Sequence, residues 1–166
     1  MTTGATACIG LGANLGDAAQ AVRDAIQALH AVPECRVLAA SRLYRTPAWG
    51  CTDQPDFINA AVRLHTHLPP LALLAQLLDI ERHAGRDRSD AAAVRWGPRL
   101  LDLDLLLYGE QVIDEVGLQV PHPHLHARAF ALVPLAEVAA EVPFPGHGTV
   151  ADALRGVDVR GVVALA

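Results

Sequence analysis

No lysine occurs in the 166 residues: all 13 basic residues are arginine. That excludes a Walker A phosphate loop, a Schiff-base lysine and a lysine nucleophile. Cysteine is scarce. Cys8, Cys35 and Cys51 are odd in number and widely spaced, which argues against a disulfide framework and a zinc ribbon and leaves them as reduced small hydrophobes. No apolar run is long enough to span a bilayer. The opening "MTTGATACIGLGANLGD" lacks the basic start, apolar middle and cleavage pattern of a secretory signal, so the expectation is a cytoplasmic chain. With a net charge of -5 the molecule as a whole does not attract nucleic acid, and neither nucleic acid nor membrane is an expected partner.

What is there suffices for one compact domain, residues 1–166, with 52% hydrophobic content and no repeat or linker. "TACIGLG" reads as a short buried strand. Asp17, with Gln20 three residues on, marks a helix start, and Val22, Ala25, Ile26 and Leu29 recur at helical spacing before Pro33. "CRVLAASRLYRT" and "FINAAVRLHTH" are β-type stretches; in the second, Ile58, Ala60, Val62 and Leu64 alternate with Asn59, Ala61, Arg63 and His65. Pro69 and Pro70 open a second helix whose Leu71, Leu74, Leu77, Leu78 and Ile80 are expected to face the core, with Gly85 closing it. A polar loop then leads into "LLDLDLLLYG". The order strand, helix, strand, strand, helix, strand predicts an α+β, ferredoxin-like βαββαβ core with a mainly antiparallel sheet and helices packed on it. A short strand pair around Gly109 and Glu110, the run "VPHPHLHARAF", a short helix and a Pro- and Gly-rich tail make a C-terminal extension.

Two features carry chemistry. Arg82, Arg86, Arg88, Arg95 and Arg99 crowd into eighteen residues whose only acids are Asp87 and Asp90, a positive patch suited to a small anionic ligand or, equally, a solvated loop. Asp102 and Asp104 are two apart in a strand and share one face, roughly 6 to 7 Å apart at the backbone, while Leu101, Leu103, Leu105 and Leu107 are expected on the other. Side-by-side carboxylates repel unless a cation or proton lies between them, although a half-exposed strand would also carry polar residues on its wet face. Carboxylates suit Mg²⁺, which completes its shell with water and substrate phosphate. Acids beside arginines are therefore the parts of a metal-polyphosphate site.

The motif "RWGPRLLDLDLL", together with "GLGANLGD", "YRTPAWG", "DQPDFINAAV", "IERHAGR" and "VPHPHLHARAF" in the same order, resembles the 6-hydroxymethyl-7,8-dihydropterin pyrophosphokinase family over nearly the whole chain. The resemblance implies a ferredoxin-like monomer acting in folate biosynthesis, with ATP as co-substrate. Diphosphate passes from MgATP to the pterin hydroxymethyl group and AMP is released. It implies that Asp102 and Asp104 hold two Mg²⁺ ions, that Arg86 and Arg99 are catalytic arginines, and that Arg88, His122 and Arg128 contact the nucleotide, with Glu81 near it and Trp96 beside both substrates. Thr46, Pro47, Ala48 and Trp49 line the pterin pocket, Asn59 reads the pterin edge, and Phe57 and Phe130 stack on its ring.

Departures from the family pattern are Ala13 where serine is usual, Phe57 for tyrosine, Leu78 for a glutamine near ATP, Gly117 for an arginine, and the extra "SDAAA" in segment 86–94. That segment is expected to close over bound substrates. His122, His124 and His126 mimic a metal site, but their spacing fits a loop. Two readings stand beside the enzyme: a module that binds nucleotide without turnover, which needs neither both aspartates nor both arginines, and an ordinary kinase releasing ADP.

Overall fold

The computed structural model describes residues 4–47, 55–84 and 101–165. In chain order it comprises β1 (Ala5–Ala13), α1 (Ala18–His30), β2 (Cys35–Ala40), β3 (Tyr44–Thr46), β4 (Phe57–Thr66), α2 (Pro70–His83), β5 (Asp102–Tyr108), a hairpin of β6 (Ile113–Glu115) and β7 (Leu118–Val120), α3 (Ala129–Ala139), α4 (Val150–Arg155) and β8 (Val163–Ala164). The main sheet runs β5-β1-β4-β3-β8, with β2 also on β4, and every pairing is antiparallel. β4 thus lies between β1 and β2, and β1 between β4 and β5: each βαβ unit is split by a strand of the other. This is the expected ferredoxin-like arrangement. No helix among the described residues is long and apolar enough to cross a membrane.

Local chemistry accounts for the helix ends. Asp17 accepts a hydrogen bond from the Gln20 amide at 3.1 Å and caps α1, and Val22, Ala25, Ile26 and Leu29 are its buried stripe as the spacing predicts. Pro70 occupies the first turn of α2, where its missing N–H is harmless. In α2 the buried residues are Leu73, Leu77 and Glu81, whereas Leu71 is 52% exposed. The inward face is therefore rotated from the one predicted, because the i, i+4, i+8 line that meets the sheet ends on a carboxylate.

Three strand expectations also need correction. "CRVLAASRLYRT" is two strands, broken where Ser41 bonds to β4 from both its amide and its hydroxyl, through Ala61 O and Ala61 N at 2.9 Å each. In β5, Leu103 and Leu105 do share a face, but one extra residue enters the register between Cys8↔Leu107 and Ile9↔Leu105. Leu106 lies opposite Leu105 by alternation, and this bulge sends Leu107 into the same opposite core instead of back to the Leu105 face. The small hairpin pairs Ile113–Glu115 with Leu118–Val120; Gly109, at φ +53, belongs to the turn before it.

Two cores result. One packs Ile9, Val62, Leu64 and Leu103 against Val22, Leu29, Leu73 and Leu77. The other packs Cys8, Ala61 and Leu106 against Leu132, Leu135, Phe144 and Val150. Burial pushes the Cys8 thiol up to about 12, in keeping with an inert small hydrophobe. Cys35 is also free, and Cys51 lies outside the described residues.

Glu137 ties α3 to the break between β2 and β3. It accepts from the Arg42 amide at 2.7 Å, the Arg42 guanidinium at 3.0 Å and the Tyr44 hydroxyl at 2.5 Å. Burial alone would raise its carboxyl, but the Tyr44 hydroxyl and the two Arg42 donors outweigh it and hold the group below its ordinary value. A depressed folded-state pKa contributes stability above the unfolded value that is lost as pH falls through the folded one. Glu137→Gln should therefore lower stability by about 1 to 2 kcal/mol at neutral pH, with the difference shrinking in denaturant titrations below the carboxylate range. A pH-independent difference would show that charge is not involved.

Candidate active site

The antiparallel register builds the site in two rows. Asp102 pairs with Gly12, which pairs with Asn59, which pairs with Tyr44; Asp104 pairs with Gly10, which pairs with Ala61. Directly opposed residues point to the same face, so Asp102 and Asn59 stand on one side of the sheet, two strand spacings or roughly 10 Å apart. Between them lies glycine, which leaves the floor bare. A Cβ on Gly12 would come within 2.9 Å of Asn59 Oδ1, and one on Gly10 within 3.2 Å of Leu106.

Asn59 and Ala61 were expected on the face of β4 opposite Ile58 and Ala60; both are buried, Ala61 in the core packed by α3 and Asn59 deep in a cavity wall beside Thr46. Asn59 donates from Nδ2 to Thr46 Oγ1 at 2.8 Å, which fixes the amide's orientation. Its edge presents a carbonyl oxygen beside Gly12. Asn14 Nδ2 bonds to Pro55 O at 3.0 Å and joins the end of β1 to the approach to β4.

A cavity of about 1270 Å³ lies over this floor, and Thr46, Pro47, Phe57, Asn59, Asp102, Asp104, His122, Arg128 and Phe130 all line it. A second cavity of about 700 Å³ lies beside the α2 flank of β5; it is lined by Leu78, Glu81, Gly117 and the same Asp102, Asp104 and His122. The carboxylates are common to both. Gly117 sits at φ +84 in the hairpin turn, a conformation that suits glycine and strains an arginine. Ala13 is fully buried in the α1/α2 core, where a hydroxyl would have no solvent.

The electrostatics are set by burial. It pushes the Asp104 carboxyl up to about 7, with Asp102 adding repulsion and Arg128 opposing. It pushes His122 down to about 4, aided by Arg128 and His124 and resisted by Asp102. His122 Nδ1 accepts from the His124 amide at 3.3 Å, so the neutral ring carries its proton on Nε2. Arg128 lies 5.6 Å from the centre of the Phe130 ring, joining a cation to a flat apolar surface.

Of the other histidines, His126 stacks on His147 with centroids 4.9 Å apart, while His124 meets His122 edge-on. Among the described residues no three His, Cys, Asp or Glu side chains are grouped to hold an ion. Two carboxylates that repel each other nevertheless fit a hard divalent cation whose remaining ligands are water and substrate oxygens.

Nine of the site residues named from the sequence therefore meet at the larger cavity, and Glu81 is on the smaller one. Arg86, Arg88, Arg99, Trp96, Ala48, Trp49 and the proposed closing segment lie outside the described residues. The sequence reading missed Gly10 and Gly12, whose signal was the alternate "GLG" on a strand, and the wall formed by Val157, Arg160 and Val162, for which no motif exists.

Paired carboxylates shared by two cavities, with an arginine and a neutral histidine beside them, are chemistry suited to joining two small molecules, one of them anionic. A model of the 7,8-dihydro-6-hydroxymethylpterin-pyrophosphokinase (HPPK) family matches residues 8–140. The chain is 48% identical over 157 residues to the 2-amino-4-hydroxy-6-hydroxymethyldihydropteridine pyrophosphokinase of Methylorubrum extorquens, covering 94% of this chain and 96% of that one. It is 41% identical over 157 residues to the enzyme of that name from Pseudomonas aeruginosa, covering 95% and 94%. Of solved structures, a Plasmodium falciparum HPPK-DHPS aligns with TM-score 0.65 and 14% identity over 92% of this chain and 43% of its own. An HPPK-DHPS in complex with substrates aligns at 0.70 and 13%, over 92% and 43%. These two likenesses concern the fold, and the chain spans less than half of those longer proteins. The chain belongs to the HPPK family and is an ATP-dependent diphosphotransferase of folate biosynthesis.

Because the Gly12 position meets the buried, bonded Asn59, Gly12→Ala should displace that amide and lower kcat/KM for the dihydropterin by at least about tenfold. Steady-state kinetics with a melting curve check this. Normal kinetics would mean that Asn59 tolerates the methyl group.

Proposed function

We propose that the chain joins MgATP and 6-hydroxymethyl-7,8-dihydropterin across Asp102 and Asp104, with the acceptor in the larger cavity and the nucleotide reaching the carboxylates from the smaller one. The hydroxymethyl oxygen attacks the β-phosphorus, the bond from that phosphorus to the α,β-bridging oxygen breaks, and AMP leaves as the hydroxyl proton is lost. The single observation that carries this reading is the row Asp102–Gly12–Asn59, which holds an anionic centre and an amide reader at a pterin's length across a bare floor.

Each residue then has a task its chemistry suits. Asn59, oriented by Thr46, offers donor and acceptor to the amide-like edge of the pterin, and Phe57 and Phe130 supply faces for its ring. Pro47 continues the pocket wall, and Ala48 and Trp49 are assigned to pterin binding with it. His122 donates from Nε2 to a phosphate oxygen without adding charge, while Arg128 adds charge. Asp102 and Asp104 would hold two Mg²⁺, which supply neutralisation of the polyphosphate when bound. Arg86 and Arg99 are assigned to charge that grows in the transition state, and Arg88 and Trp96 to the nucleotide.

The test is to incubate the protein with MgATP and the dihydropterin and separate the nucleotides by chromatography. AMP is expected; ADP would make it an ordinary kinase, and unchanged ATP a binding module. Asp102→Asn and Asp104→Asn should each lower kcat by at least about a hundredfold. Since each removes one of two repelling charges, their melting temperatures should equal or exceed that of the native protein. Near-native turnover in both would refute the assignment.

A further inference from the structure

Glu81 is 1% exposed, an unusual setting for a carboxylate. Leu73 and Leu77 precede it on the buried line of α2, where an apolar side chain would simply extend the stripe. Burying a charge instead costs several kcal/mol before compensation. Its Oε1 accepts the Leu103 amide at 2.8 Å. Leu103 lies between Asp102 and Asp104, and among the described residues β5 is the edge of the sheet, paired with β1. The Leu103 N–H points away from β1, where no strand among the described residues receives it, and its residue is 3% exposed, so Glu81 supplies the acceptor that this buried donor needs.

We propose that Glu81 is a positioning residue for the aspartate pair: its carboxylate accepts the amide that a neighbouring strand's carbonyl would otherwise take and fixes the peptide from which Asp102 and Asp104 project. Side chains flanking one peptide rotate with it, so a freed Leu103 amide would turn both carboxylates at once. The anchor is stiff, since α2 is held through Leu73 and Leu77 in the core. A direct nucleotide contact, the role implied by the family resemblance, fits less well: Glu81 borders the smaller cavity, but so little of it is exposed that a ligand has almost nothing to touch. The proposal rests on the reading of Asp102 and Asp104 as the reaction centre.

The test compares Glu81→Gln, which keeps an acceptor oxygen, with Glu81→Leu, which keeps only bulk, in the full chain. Glu81→Gln should turn over at least about tenfold faster than Glu81→Leu, with KM for ATP within about threefold of native in both. The Leu103 amide should stay protected from hydrogen exchange in the Gln variant and exchange faster in the Leu variant. A smaller gap between the variants, or a KM for ATP raised more than threefold in Glu81→Gln, would overturn the positioning role. If Glu81→Leu does not fold, the Gln variant decides alone: native KM with native Leu103 protection supports the role, and a change in either refutes it. Asp102→Asn measured alongside keeps the two readings apart, because its full activity would refute the reaction centre whatever Glu81 does.

Discussion

The register of β5 against β1 is the constraint on which the rest of the molecule depends. A slip of one residue would carry Asp102 and Asp104 to the face packed by α1 and α2 and expel Leu103 and Leu105 from it. Both changes are opposed, since burying each leucine contributes roughly 1.5 to 3 kcal/mol and burying an uncompensated carboxylate costs several. Hydrophobic packing on one face therefore aims the chemistry on the other. The bulge at Leu106 interrupts this alternation and adds Leu107 to the second core, while Tyr108 returns to the first.

That second face is divided along its length. At one end Cys8, Ala61 and Leu106 accept α3 and α4; at the other Gly10, Gly12 and Asn59 are left for a ligand. Glycine at the boundary keeps the floor low, and the Glu137 network pins α3 to the Ser41–Tyr44 segment that leads into Thr46. Packing and binding share a sheet, and Leu106 and Leu125 serve both the second core and the cavity wall. Electrostatics follow from the same enclosure. Burial pushes Asp104 up to about 7 and His122 down to about 4, so the protein alone holds less charge at this site than its residue types suggest. On the proposed reading, the anionic substrate and its cations bring the charge with them.

Legibility in the sequence tracked how local each cause is. The α1 cap at Asp17, the four-residue stripe of α1 and the element order were legible because their causes lie within a few residues. The face of α2 was misread because periodicity assigns apolar residues inward, and here a glutamate completes the inward line for a partner 22 residues away. The Ser41 break, the Leu106 bulge and the true hairpin were missed for a related reason: each is set by a bond or register with a distant strand. Asn59 illustrates both sides. Its face was readable from alternation, but its bond to Thr46 exists only once β3 is in place.

By itself the sequence determined the protein's family, its ferredoxin-like order and the identity of its reactive groups, because motif spacing and apolar periodicity are properties of neighbouring residues. Only the tertiary structure decided that Asp102 and Asn59 face each other across Gly12, that both cavities meet at the aspartates, and that Glu81 turns inward to their strand. Those relations are made by strand register and helix packing between segments far apart in the chain, where a shift of one position reverses which side a residue serves.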